Sequence, residues 1–124
     1  MLLYKEMTDK IIKCFYNVYN ELGHGFLEAI YENSLVILLR EEGLKVEQQK
    51  DLVVKFRNII VGKYMTDLIV NDKIILELKA AKKIAPEHEA QLLNYLKATN
   101  MELGLLLNFG IKPEFKRFIF SSNQ

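Results

Sequence analysis

The chain predicts an α/β (α+β) fold, a mixed sheet flanked by helices in the order ααβββαββ, and three observations carry that expectation. Helical apolar spacing fills the first third. A β-branched middle follows, broken by short polar turns. One further helical stretch then lies between the third and fourth strands, where it allows a parallel crossover beside an antiparallel meander. At 124 residues one domain over 1–124 is the expectation, large enough to bury a single core.

Each element follows from its local pattern. From Met7 to Leu22, Ile11, Ile12, Phe15, Val18, Tyr19 and Leu22 recur at helical spacing, and Gly23 suits the position just past the end. A second periodic stretch runs from Phe26 to about Glu42 and stops at Gly43. Val46–Phe56, Ile59–Val70 and Ile74–Lys79 are strands joined by turns at Arg57-Asn58 and Asn71-Asp72. Glu87–Thr99 is the third helix, with Pro86 in its first turn. Leu103–Phe109 is a buried strand, Pro113 interrupts, and Phe115–Phe120 forms the last strand. Strands that are apolar nearly throughout fit a sheet covered on both faces.

Composition narrows the function classes. Seventeen basic and sixteen acidic residues leave a net charge of +1, so affinity for phosphates has to come from a local patch. Candidates are Lys79, Lys82, Lys83 and Lys97, supplemented by Lys112, Lys116 and Arg117; a merely solvated charge run is the alternative. The single cysteine, Cys14, has no internal disulfide partner, which fits a reducing cytoplasm. No apolar run is long enough to span a bilayer, and no signal-peptide pattern opens the chain, so a cytoplasmic protein without a membrane is expected. The high apolar content makes a homodimer an expectation as well.

The feature that asks for a chemical explanation is Ile74-Ile-Leu-Glu-Leu-Lys-Ala80, in which Glu77 and Lys79 interrupt an apolar strand on one face. A two-residue turn at 71–72 would turn Asp67 away from Glu77. A three-residue loop, Asn71-Asp72-Lys73, makes Val70 oppose Ile74 and sets Asp67 across from Glu77. That register groups Asp67, Glu77 and Lys79 on one face and Thr66, Leu68, Val70, Leu76 and Leu78 on the other. Opposed carboxylates need a compensating charge, and an oxygen-rich site suits magnesium or manganese. A structural Glu77–Lys79 ion pair is the plain alternative.

Helix positions add to the set. Gly25, Glu28 and Tyr31 stand at i, i+3 and i+6, expected along one otherwise apolar helix face with Glu28 pointing inward. The alternative is a glutamate placed at a helix N-terminus by the dipole. Gln91 and Tyr95 share a face of the third helix, with His88 one turn earlier and more often a surface or capping histidine than a ligand.

Asp67, Glu77-Leu78-Lys79 and Gln91-x-x-x-Tyr95 together resemble the active-site signature of the PD-(D/E)XK nuclease superfamily, and Gly25-x-x-Glu28-x-x-Tyr31 is similar to the motif of the GxxExxY protein family within it. The resemblance runs from about Lys10 to Phe120 and includes Gln91–Leu96 and Leu105–Gly110. It implies a restriction-endonuclease-like core and metal-dependent hydrolysis of nucleic acid, with DNA as the expected substrate. It also implies a magnesium or manganese site built from Glu28, Asp67, Glu77 and the carbonyl of Leu78. Lys79 would position water and phosphate, and Gln91 and Tyr95 would shape the site or touch the backbone. Thr66 stands where the superfamily label has proline, a departure that removes no ligand. The competing expectations are a binding module that does not cut and a homodimeric interaction domain.

Overall fold

The computed structural model describes residues 4–121. Helices α1 (Lys5–Leu22) and α2 (Glu28–Glu41) come first. Strands β1 (Val46–Phe56), β2 (Ile59–Val70) and β3 (Ile74–Lys79) follow, then helix α3 (Pro86–Thr99) and strands β4 (Leu103–Phe109) and β5 (Pro113–Ile119). The five strands form one sheet in chain order, antiparallel except for the parallel β3–β4 pair that α3 crosses. The order ααβββαββ and the mixed, helix-flanked sheet are as the sequence predicts.

Alternation along the strands sorts two apolar layers. Ile11, Phe15 and Val18 of α1 and Tyr31, Leu35 and Leu39 of α2 pack with Leu76 and Leu78 of β3 and Leu105 and Leu107 of β4 on one face. Ile75 and Leu106 point the other way, onto Leu92 and Leu96 of α3. Because β3 and β4 are covered on both sides, β4 is buried along its whole length. The charged residues of β3, Glu77 and Lys79, stand at its C-terminal end and are half-buried.

Several element boundaries move by one or two residues from the expectation, and two of the shifts have a clear backbone cause. Helix α2 begins at Glu28, not Phe26: Gly25 has φ 106°, and Leu27 is extended at the N-cap. Strand β5 includes Pro113, whose missing N–H costs little on the first residue of an edge strand.

Candidate active site

The three-residue loop at 71–73 is present, since Val70 pairs with Ile74, Ile69 with Ile75 and Leu68 with Leu76. The ladder runs no further toward the charged residues. On the other side of β2, Gln48 pairs with Leu68 and Lys50 with Thr66, leaving Gln49 and Asp67 out of the register. Gln49 has φ 51°. Both strands are distorted at one level of the sheet, the kind of irregularity that re-aims a side chain.

That distortion corrects the expected faces. Asp67 does not sit in a regular ladder opposite Glu77: its Oδ2 accepts the backbone N–H of Leu78 at 2.8 Å. Thr66, expected on the far face, donates its hydroxyl to Glu77 Oε1 at 3.0 Å, and the Tyr64 hydroxyl donates to the same oxygen. The two acids still sense each other. Burial first, and then Asp67, pushes the Glu77 carboxyl up to about 7. Asp67 is raised by burial and by Glu28, against the lowering effects of the Leu78 N–H, Lys79 and Gln49. The Tyr64 hydroxyl is held far above the usual phenol range, by burial and then by the Glu77 carboxylate.

Glu28 corrects a second expectation. It is exposed, as the first residue of α2, where the helix dipole favours an acid. It nevertheless lines one cleft with Asp67, Leu78, Glu32, Gln48 and Gln49, about 490 Å³ in volume. Gly25 lies before the helix, so Gly25, Glu28 and Tyr31 do not share a helical face. Tyr31 is fully buried, stacks on Phe109 and donates its hydroxyl to the Gly23 carbonyl at 2.5 Å. It fixes the turn that delivers Glu28 to the cleft.

Helix α3 reaches the site from the opposite face. Gln91 donates to the Tyr95 hydroxyl at 2.6 Å, and the Tyr95 ring stacks on Tyr64 with 18° between planes. Gln91, Tyr95, Tyr64 and Glu77 thus form a continuous relay from the α3 surface to the β3 carboxylate. His88 accepts the Ala85 N–H through Nδ1 at 3.2 Å and caps α3, the structural role expected of it. Lys79 is half-buried at the end of β3, while Lys82, Lys83 and Lys97 are exposed. Lys116 is taken up by Glu89 at 2.9 Å.

Tyr64, Gln49, Glu32 and Asn108 stand at this centre without having stood out in the sequence, and Thr66 joins them from its expected place on the far face. Glu32 is 8% exposed and accepts from Gln48 and Gln49, so the polar Gln48-Gln49 pair inside a strand was the signal available. Asn108, fully buried beside Lys79 in the register, grips Ala81 from both sides: it accepts its N–H and donates to its carbonyl, each at 3.0 Å. A Cβ on Gly110 would come within 2.3 Å of the Ala81 carbonyl oxygen. Gly110→Ala is therefore expected to push the 80–82 segment off Asn108 and cost about 1–3 kcal/mol, the scale for overpacking. A lowered midpoint in urea unfolding would show it.

The donor chemistry suits a hard dication: of the carboxylates Glu28, Asp67 and Glu77, the first two line one cleft together with Leu78. As placed, the set is not gathered. Among the described residues no three Asp, Glu, His or Cys side chains converge tightly enough to hold an ion, because Glu77 is turned to Tyr64 and Thr66.

A family model described as the PD-(D/E)XK nuclease superfamily matches residues 5–118. No curated protein matches the chain. Among solved structures, the crystal structure of SSO0001 superposes with a TM-score of 0.59 at 18% identity, over 76% of this chain and 50% of that one. An alkaline exonuclease from Laribacter hongkongensis superposes with a TM-score of 0.51 at 13% identity, over 71% and 53%. At such identities the likeness is one of fold, and the chain corresponds to about half the length of each.

Proposed function

For a chain that belongs to the PD-(D/E)XK nuclease superfamily, and that sets Asp67, Glu77 and Lys79 at one end of its sheet, we propose a divalent-metal-dependent nuclease that hydrolyses phosphodiester bonds in DNA. The GxxExxY branch is the finer assignment proposed with it. The observation that carries the reading is the distortion at Asp67 and Gln49, which turns Asp67 into the cleft that Glu28 also lines. Two buried-side acids with raised proton affinity are costly to a fold that does not use them.

Glu28, Asp67, Glu77 and the Leu78 carbonyl would hold magnesium or manganese. When bound, such an ion lowers the pKa of its water and neutralises charge on the phosphate. Lys79, the cation that Asp67 senses, would orient water and the scissile phosphate. Tyr64 and Thr66 hold Glu77 in one rotamer. Gln91 and Tyr95, bonded to each other and stacked on Tyr64, would shape the wall that meets the nucleic-acid backbone. Lys82, Lys83 and Lys97 would contact phosphates.

The test uses purified protein with single- and double-stranded DNA and RNA, in magnesium, in manganese and in chelator. Cleavage of DNA with either metal, abolished by chelator and by Glu77→Ala, is the expected result. Equal products from wild type and Glu77→Ala, or none from either across all substrates, would sink the hydrolase reading. Salt-dependent binding in chelator with no turnover in metal would assign a module that binds without cutting.

A further inference from the structure

The chain's near-neutral charge hides a strong local imbalance. Residues 50–65 hold Lys50, Lys55, Arg57 and Lys63 against the single acid Asp51, a net +3; with +1 for the whole chain, the other 108 residues carry −2. Those sixteen residues are the outer part of the β1–β2 hairpin. Leu52 packs toward α3 and Tyr64 stacks on Tyr95, which anchors the base. Beyond them the ribbon leaves the body: the β2–β3 ladder covers only Leu68–Val70, and β1 is the sheet edge. From Val53 to the turn it extends roughly 15 Å at about 3.3 Å per residue.

Its side chains have one composition along that length. Lys55, Arg57 and Lys63 are exposed and make no ion pair with any described residue; Arg57 lies over the Phe56 ring, 5.4 Å from its centre. Phe56, Ile59 and Val61 are 62%, 67% and 61% exposed. Unpaired cations interleaved with apolar side chains on a two-stranded ribbon match a duplex groove, which is about 12 Å wide on the major side and admits such a ribbon. Apolar tip residues can also wedge against base steps. A second copy fits less well, because two arms would set a net +3 against a net +3.

We propose that the β1–β2 arm, residues 53–61 with Lys63, is a duplex-binding clamp that enters a groove of double-stranded DNA and holds it against the cleft at its base. The inference rests on the nuclease reading for its substrate class, but not on turnover. It also supplies the basic patch that the overall charge lacks.

The experiment measures anisotropy of a labelled twenty-base-pair duplex and of the matching single strand, in chelator, as a function of salt. It compares wild type with the triple variant Lys55→Ala, Arg57→Ala, Lys63→Ala, and with Lys55→Arg, Lys63→Arg as the charge-keeping control. The triple variant is expected to lose about tenfold or more in duplex affinity and to reduce the slope of log affinity against log salt by about 2–3, roughly one per phosphate contact. The control should bind as wild type does. Unchanged affinity and slope in a folded triple variant would overturn the clamp, as would wild type that ignores the duplex. Sedimentation of Phe56→Ala, Ile59→Ala, Val61→Ala adds a third route: a dimer turned monomer with DNA affinity intact would make the arm a self-association surface instead. Binding as expected without cleavage in metal would count against the nuclease reading and leave the clamp standing.

Discussion

Asp67→Asn is expected to make the metal-free protein more stable and to lower cleavage by about a hundredfold or more, two effects of opposite sign from one charge. The asparagine keeps the shape, and its carbonyl can still accept the Leu78 N–H that Asp67 now accepts at 2.8 Å. The neutral side chain no longer suffers the burial and the Glu28 field that raise the native carboxyl. Glu77 loses the neighbour that, after burial, raises its own carboxyl most. Stability measured in chelator at pH 7.5 should therefore rise. Turnover should fall because the cleft keeps its form but loses a ligand charge. A fall in both quantities would mean that Asp67 is chiefly a strand clip, and an unchanged turnover would remove it from the catalytic set.

Most of the fold was legible because it rests on periodicity. Helical spacing marked α1 and α3, and the three-residue loop at 71–73 followed from asking which register sorts the β3 residues. The site was legible by residue type but not by geometry. Strict alternation placed Asp67 beside Glu77 and Thr66 behind them. The paired distortion at Gln49 and Asp67 instead brings Thr66 to Glu77 and sends Asp67 to the Leu78 N–H. A local break in the ladder that leaves the register unchanged, as here, leaves little trace in a pattern of apolar and polar residues. The start of α2 failed for a related reason. Phe26 and Leu27 continue the apolar period, yet the positive φ of Gly25 and the extended Leu27 postpone the helix to Glu28, which leaves that acid exposed. Tyr64 was invisible for another reason: it matters through partners on β3 and α3 that are distant in the chain.

The second large effect is a dependence of stability on pH, set by Glu77. Its carboxyl lies at about 7 in the fold, against 4.5 for an ordinary glutamate, mainly because it is buried and secondly because Asp67 is near. Below pH 4.5 the group is protonated in both folded and unfolded chains and contributes nothing. As pH rises toward 7 the unfolded chain releases its proton first, so the fold binds more protons and unfolding becomes easier with each step in pH. Above 7 the penalty is complete, at about 3 kcal/mol for this one group. Urea unfolding in chelator should accordingly show stability falling between pH 4.5 and 7.5, with Asp67 adding in the same direction. Glu77→Gln should remove most of that slope, because it keeps an acceptor for the Tyr64 and Thr66 hydroxyls without a carboxylate to desolvate. Millimolar manganese at pH 7.5 should restore stability to wild type and do little for Glu77→Gln, since binding to the folded state alone adds stability by mass action. A wild-type profile that is flat from pH 4.5 to 7.5 in chelator would show that Tyr64 and Thr66 already satisfy the charge. The metal would then have no buried repulsion to relieve.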